Sequence, residues 1–301
     1  MNVEWSRLRV LHAVARAGTV KRAAELLHMT GPAVSQQLRR IEAEAGIRVV
    51  IPDGRGVRLT SEGRVLADYA AQVAELMARA ENDLHNDNEL AGRICIGALA
   101  SIIRTTLADL LPAFQRGHRR VELRVEDGET TWHLERLLDG HLDLVLAESW
   151  SPAPLLLPAG ITARRVGRDP LWIALPGDHP LHGRPVLDLA DLASEVWATC
   201  ARDSDGHRAM TQLARASGVE LDVRHHVADH ATQLALVRAG LAVACVPVPT
   251  QHPHNTGVTY RRLSTEVHRD ILLLTSNAHQ PRTVDSLVAH LTATPQRLGV
   301  S

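Results

Sequence analysis

Residues 19–46, TVKRAAELLHMTGPAVSQQLRRIEAEAG, decide the fold of the N-terminal part of the chain. Thr30 is a helix-capping residue, and Pro32 stands in the following first turn, where a missing N–H costs no hydrogen bond. Apolar residues recur at helical spacing on both sides of this point, and Gly46 ends the second run. The pattern predicts two short helices joined by a tight turn, a helix-turn-helix over residues 20–39.

The flanking sequence completes a small domain. Residues 5–16 carry a helical apolar stripe that ends at a glycine. After the pair of helices, the stretches VVI at 49–51 and VRL at 57–59 flank the turn PDGRG, which predicts a β-hairpin with Arg55 at its tip. Three helices followed by a basic hairpin predict a winged helix-turn-helix over residues 1–60.

Charge is distributed unevenly along the chain. The formal net charge of the 301 residues is −1. Residues 1–60 nevertheless carry ten basic and five acidic groups, a balance of +5, whereas residues 61–90 carry two basic and seven acidic groups, a balance of −5. A basic head indicates a polyanionic partner such as DNA. A solvated helical surface is the alternative explanation.

One face of the second helix carries groups suited to DNA. In a helix-turn-helix this helix enters the major groove, where an amide such as Gln36 pairs with adenine and guanidinium groups hold phosphates. A basic wing tip fits a minor groove. Arginine-rich helices also occur in domains that do not bind DNA. The candidate DNA-binding residues are Thr30, Gly31, Pro32, Ser35, Gln36, Arg39, Arg40 and Arg55.

Residues 8–63 resemble the N-terminal domain of the LysR-type transcriptional regulators. The features that carry the resemblance are the pair Ala23–Ala24, PAVS at 32–35, RIE at 40–42 and GRGVRLTSEG at 54–63. The resemblance implies sequence-specific binding of double-stranded DNA at an interrupted palindrome. The chain departs from the family pattern at Lys21, Gly31 and Gln36, so the resemblance carries no base preference.

Residues 61–90 predict one long helix. Apolar residues recur there at alternating spacings of three and four, which is typical of a coiled-coil seam. In the LysR-type family the corresponding helix pairs two subunits, which implies a homodimer or a homotetramer. An amphipathic helix packed on the head of its own chain is the alternative. The candidate seam residues are Leu66, Tyr69, Val73, Leu76 and Ala80.

From residue 91 the pattern alternates between strands and helices, which predicts an α/β effector-binding domain over 91–295. It resembles the effector domain of the same family, which has the two-lobed fold of periplasmic solute-binding proteins. That resemblance implies lobe I over 92–167 and 268–293 and lobe II over 168–267. The expected crossings between lobes fall near Arg168–Leu171 and Ser264–Arg269.

Strand ends and helix starts predict the ligand site of such a fold, between the lobes. Free N–H groups and a hydroxyl at Ser101 favour a small carboxylate or another polar metabolite, whereas Glu129 points to a cationic or hydroxylated group. A helix cap or a solvated loop is the alternative role for each polar residue. The candidate effector-binding residues are Ala100, Ser101, Ile102, Glu129, Cys200, Arg202 and His230.

Several classes of protein find no support in the sequence. The three cysteines lie far apart, and no metal-binding or nucleotide-binding motif occurs, so we expect no metal, no cofactor and no enzyme activity. Charges interrupt the apolar N-terminal stretch, and no apolar run of about 18 residues exists, so we expect no membrane association and a cytoplasmic protein.

The sequence therefore predicts an α/β protein with an N-terminal winged helix-turn-helix and a two-lobed effector domain. The predicted function is LysR-type transcriptional regulation under the control of a small polar metabolite. The alternative is a solute-binding or transferase-like α/β protein with an accessory basic head.

Overall fold

The computed structural model describes residues 3–53, 56–84, 90–248, 256–277 and 280–293. The chain divides into two compact units, residues 1–86 and 87–301. Within the described residues, no helix combines the length and the apolar character that a bilayer crossing needs.

The first unit is a helical bundle with a two-stranded wing. Its apolar core includes Leu11, Val34 and Ile41, which are fully buried. Gly18 and Gly46 adopt left-handed backbone conformations (φ 69° for each) directly after two of the helices, as the sequence predicted. The helices are α1 (Trp5–Ala17), α2 (Val20–Leu26), α3 (Gly31–Ala45) and α4 (Ser61–Leu84).

The wing consists of β1 (Val50–Asp53) and β2 (Gly56–Leu59), which pair antiparallel. The side chain of Glu42, near the end of α3, accepts hydrogen bonds from Val49 N (2.9 Å) and Val50 N (3.3 Å). A Cβ atom at Gly63 would lie 2.0 Å from the carbonyl oxygen of Val49. The carboxylate of Glu42 and the absence of a side chain at Gly63 therefore set where the wing begins.

The second unit is built on one continuous run of strands. The spatial order is β4-β3-β5-β12-β6-β10-β8-β9, and β11 pairs with β6 and with β7. The strands are β3 (Ala91–Ala98), β4 (Arg120–Asp127), β5 (Leu144–Trp150), β6 (Ile161–Pro176), β7 (Val186–Leu187), β8 (Val196–Cys200), β9 (Asp222–Val227), β10 (Val243–Pro247), β11 (Val258–Leu263) and β12 (His268–Ser276).

Helices cover these strands. A π-helical segment, Ile103–Leu107, joins the first two of them into one rod, and two short 3-10 helices lie between β6 and β8. The α-helices are α5 (Ala100–Ile102), α6 (Ala108–Gly117), α7 (Thr130–Leu138), α8 (Asp205–Ala216), α9 (His230–Arg238) and α10 (Arg282–Thr292).

Strand β6 divides the second unit into two lobes. It pairs with β12 as far as Pro170 and with β10 from Leu171 onward. Separate apolar cores lie on the two sides, with Ile96 and Leu146 in lobe I and Trp197 in lobe II. The chain passes between the lobes along β6 and again between β11 and β12.

The sequence underestimated two strands. The apolar stretch PLWIALP at 170–176 indicates only the second half of β6, which begins at Ile161, and no comparable apolar stretch indicates β11. The first half of β6 carries Arg164 and Arg165 on an exposed surface, so it lacks the apolar signature of a buried strand. Hydrogen bonding to β12 holds it in the sheet instead.

Candidate functional site

Threonine caps order the two helices of the first candidate site. Thr19 Oγ1 accepts a hydrogen bond from Arg22 N, and Thr30 Oγ1 accepts one from Ala33 N, each at 3.3 Å. Between the helices, His28 adopts a left-handed conformation (φ 53°). These caps satisfy N–H groups at the starts of α2 and α3, and so they define where each helix begins. The tight turn between the two helices then sets the direction of α3 relative to α2.

The outer face of α3 presents polar groups to solvent. Gln36, Arg39 and Arg40 are exposed, and they stand opposite the residues that pack into the core. Pro32 is also exposed one turn before Gln36, whereas Gly31 is half-buried. Spacings of three and four residues place the amide and the two guanidinium groups on one side of the helix.

Ser35 lies at the margin of this face. Its side chain is half-buried, and its hydroxyl donates a hydrogen bond of 3.1 Å to the carbonyl oxygen of Gly31. Ser35 Oγ can still accept a hydrogen bond from DNA, but its proton is already donated to the backbone of α3. Arg55, the predicted wing-tip contact, lies outside the described residues.

The prediction for Leu66 as a seam residue is wrong. Leu66 is buried and belongs to the apolar core of the first unit, together with Ala67. The physical reason is that the first turns of α4 pack against α1, as the intramolecular alternative predicted for the whole helix.

The next seam positions are exposed. The exposed fractions are 62% for Tyr69, 37% for Val73 and 64% for Leu76. Met77 beside them is also exposed, and the side chain of Ala80 lies outside the described part of α4. The middle of α4 therefore presents an apolar stripe that the described residues of its own unit do not cover.

The second candidate site is a cavity of about 250 Å³ between the lobes. It lies where β3 and β4 end in lobe I and where β8 and β9 end in lobe II. The carboxyl ends of parallel strands are the expected binding position in α/β folds. The predicted effector residues that line it are Ala100, Ser101, Glu129, Cys200 and His230.

Two predicted effector residues do not line the cavity. Ile102 is fully buried in the apolar core of lobe I. One position after Ser101, its side chain lies on the face of the helix that packs against the core. Arg202 is exposed in the loop after β8, next to Asp203, whose backbone is left-handed (φ 67°). The structure therefore does not support either residue as a direct contact in this cavity.

A buried ionic network lies at the junction of the lobes. Arg269 at the start of β12 is fully buried. Its Nη1 donates to Ser101 Oγ and to Glu148 Oε2, each at 3.0 Å, and its Nε donates to Asp169 Oδ2 at 2.9 Å. Both carboxylates are almost fully buried as well. The network joins β5, β6 and β12 to the residue that begins the wall of the cavity.

Burial raises the pKa of two carboxyls of the cavity. It raises the pKa of Glu148, although the guanidinium of Arg269 opposes the rise. Burial also raises the pKa of Glu129, and the charges of Glu148 and Asp205 add to the effect. Ionised Glu129 thus stands in an environment that already contains negative charge.

A second set of polar groups lies on the lobe II side of the cavity. Gln233 Nε2 donates to Cys200 Sγ at 3.3 Å, and His230 Nδ1 lies 3.2 Å from Gln233 Oε1. Burial lowers the pKa of His230 to about 3, so its ring is neutral at pH 7. Burial raises the pKa of Cys200 to about 12, so its thiol stays protonated and a poor nucleophile.

One ion pair bridges the lobes at the edge of the cavity. Arg104, in the π-helical segment, places Nη1 3.4 Å from Asp229 Oδ2 at the start of α9. Burial of Asp229 opposes its ionisation, but hydrogen bonding from Thr232 N and the charge of Arg104 lower its pKa overall. π-helical turns are frequent at functional sites, and this one carries the bridging side chain.

Sequence reasoning missed the network around Arg269. Its signal was present, because Glu148 interrupts the apolar strand LVLAESW and Arg269 precedes the apolar run ILLL. Charged residues beside or within buried strands need partners of opposite charge. Which residues pair could not be read from one sequence, since Ser101 and Arg269 are 168 positions apart.

Comparison with protein families decides the identity of the two units. The family described as bacterial regulatory helix-turn-helix protein, lysR family, matches residues 5–64. The LysR substrate binding domain matches residues 87–296, which is more than half of the chain. The chain belongs to the LysR family. LysR-type proteins are DNA-binding transcriptional regulators with an effector domain, so the alternative of a solute-binding or transferase-like protein is set aside.

Relatives agree with this LysR assignment, and a solved structure shares the fold. The small neutral protease regulatory protein of Streptomyces coelicolor is 32% identical over 247 residues, covering 80% of this chain and 77% of the relative. The RuBisCO operon transcriptional regulator of Allochromatium vinosum is 28% identical, covering 83% and 81%. Full-length CbnR in complex with its target DNA has the same fold, with a TM-score of 0.67, 22% identity and coverage of 97% and 99%.

Proposed function

We propose that this LysR regulator reads its operator with the outer face of α3. Gln36 contacts a base edge, because an amide offers a donor and an acceptor together. Arg39 and Arg40, one turn further along, hold phosphates and contribute affinity for any sequence. The exposure of all three on a helix that Thr30 caps supports this division of roles. Arg55 in the wing stays a prediction.

We further propose that a small polar metabolite binds in the cavity between the lobes and controls DNA binding. The single observation that carries this proposal is the 250 Å³ cavity, to which both lobes contribute polar side chains. A ligand changes the population of lobe arrangements only if it binds one of them more tightly than the other. A ligand that contacts side chains of both lobes meets that requirement. When the lobes move, the distances between those side chains change, and with them the affinity for the ligand.

The apolar stripe of Tyr69, Val73 and Leu76 supports pairing of two copies through α4. A homodimer presents two α3 helices to two half-sites, which fits an interrupted palindromic operator. Association of two dimers into a homotetramer stays a prediction. A regulator of this kind works where the chromosomal DNA is, in the cytoplasm.

Fluorescence anisotropy with the DNA directly upstream of the regulator's own reading frame tests the DNA-binding proposal. Affinity should exceed that for shuffled DNA and should fall steeply with added salt, because bound phosphates release counterions. Equal affinity for both DNAs at every salt concentration would contradict sequence-specific binding by this head.

A further inference from the structure

The charged side chains that line the inter-lobe cavity are carboxylates. Carboxylates of Asp127, Glu129, Glu148 and Asp229 line it, and none of the described lining residues is a lysine or an arginine. Among the described residues, no ion pair or hydrogen bond engages the carboxylate of Glu129. Its negative charge is therefore not neutralised by a direct contact.

Most guanidinium groups near the cavity are paired with carboxylates. Three guanidinium groups lie near it, and each contacts at least one carboxylate. Of these, Arg269 is fully buried beneath the wall and is not part of the lining. The pairs are Arg104 with Asp229, Arg208 with Asp205, and Arg269 with both Glu148 and Asp169. Arg269 Nη2 keeps an N–H without a partner among the described residues beneath the wall, and Arg202 is exposed in the loop after β8, but neither belongs to the lining.

His230 gives an independent indication of the same polarity. Its side chain is 3% exposed and lines the cavity. Gln233 donates through Nε2 to Cys200 Sγ, which turns its Oε1 toward His230 Nδ1. With the amide of Gln233 in this orientation, Oε1 accepts from Nδ1–H, and the neutral ring keeps a lone pair on Nε2. Among the described residues no donor contacts Nε2, so this lining residue offers a buried acceptor.

We propose that the cavity binds a small metabolite through a protonated amine or guanidinium group, with Glu129 and His230 Nε2 as the acceptors. This inference rests on the proposed role of the cavity as the effector site and names the chemical class of the effector. Donated hydrogen bonds to Glu129 and His230 satisfy both groups at once, whereas an anion would meet the carboxylate of Glu129 with no cation among the described lining residues.

The protonation of Glu129 supports the assignment. Burial and neighbouring carboxylates raise its pKa, so its ionised form is the unfavourable one in the empty cavity. A bound cation reverses this balance, because an opposite charge at contact distance favours the ionised carboxyl. Binding of a cation should therefore draw Glu129 into its charged state and gain a charge-assisted hydrogen bond.

Isothermal titration calorimetry with matched four-carbon probes tests the charge preference. The probes are 1,4-diaminobutane, 4-aminobutylguanidine, 1,4-butanediol and succinate, each titrated into the full-length protein. We expect binding by at least one of the two cations and a weaker affinity, by about tenfold or more, for the diol and succinate. Preferred binding of succinate or the diol, or no binding by either cation at millimolar concentration, would overturn the proposal.

Two variants, one at the N-cap of α7 and one within α7, test whether the cation binds at Glu129. Glu129→Gln should weaken the better cation by about tenfold or more, since it removes the charge and keeps the size. Glu135→Gln, the same change on the exposed side of α7, should leave the affinity within about twofold of the parent. Equal effects of the two variants would overturn the role of Glu129.

Nitrogen-15 NMR of the histidine rings tests the acceptor directly. His230 should carry its proton on Nδ1 at pH 7, and its Nε2 resonance should shift when the better cation is added. His230→Gln identifies the resonance by its disappearance. A proton on Nε2 in the free protein would overturn the assignment of this acceptor. Operator binding measured on the same preparation separates failure of this inference from failure of the proposed regulatory function.

Discussion

Ser101 Oγ accepts a hydrogen bond of 3.0 Å from Arg269 Nη1, and this contact ties the start of the helical rod in lobe I to the strand that returns from lobe II. The hydroxyl predicted to meet the ligand therefore also holds a buried guanidinium. Its proton stays available to a ligand, because the oxygen acts as the acceptor in this contact. Ser101 thus combines a structural and a binding role.

Ser101→Ala should lower both the stability and the effector response. Loss of the acceptor should cost about 1–3 kcal/mol, because part of the hydrogen bonding of Arg269 is left unsatisfied. Thermal unfolding without ligand gives the stability, and operator affinity with and without the effector gives the response. Unchanged stability would contradict the Arg269 contact, and an unchanged effector-induced shift would remove Ser101 from the binding site.

Arg269→Met should destabilise the second unit by about 3–5 kcal/mol, because Glu148 and Asp169 would remain buried without their cation. Arg168→Met is the matched control, since Arg168 pairs with Asp270 at 2.7 Å on the exposed surface of the same two strands. Urea titration followed by circular dichroism measures both. If Arg168→Met lowered the free energy of unfolding as much as Arg269→Met, burial would not be the reason for the effect of Arg269→Met.

Leu76→Glu should separate the subunits, because it places a charge without a partner in the centre of the paired helices. Leu26→Glu is the matched control, as both leucines are 64% exposed and Leu26 lies on α2. Sedimentation velocity should show smaller particles for the α4 variant alone. If Leu76→Glu sediments like the parent, the middle of α4 is not the subunit contact.

Glu129→Gln should raise the Tm of the ligand-free protein at pH 7 by about 1–2 °C, a small rise because the side chain is only half-buried. The folded-state pKa of Glu129 lies above its ordinary value of 4.5, so its contribution to stability is present below pH 4.5 and is lost as the pH rises through the folded-state pKa. The difference between parent and variant should therefore disappear near pH 4. A lower Tm for the variant at pH 7 would contradict the raised pKa.

The head and the alternation of elements in the effector domain were predictable from local signals. Thr30, Pro32 and Gly46 mark helix ends through chemistry that acts within a few residues, and the structure confirms these ends. The buried strands that contain Ile96 and Leu146 were predictable from their runs of apolar residues.

Other features depend on contacts that are distant in sequence. Leu66 has the spacing of a seam residue, but packing of α4 on α1 buries it within its own chain. Arg202 follows a strand end, as a ligand contact would, yet the structure leaves it exposed outside the cavity. The acceptor on His230 depends on a hydrogen-bonded path through Gln233 to Cys200, which no local pattern encodes.

The assignment of α3 as the recognition helix is tested most directly by operator affinity measured at several salt concentrations for the parent, Gln36→Ala and Arg40→Ala. We expect Arg40→Ala to weaken every DNA sequence about equally and to reduce the salt slope by about 1. Gln36→Ala should cost about 1–3 kcal/mol on the operator and relax the preference at one base pair. If both variants keep the parent's operator affinity and salt slope, α3 is not the helix that reads the DNA.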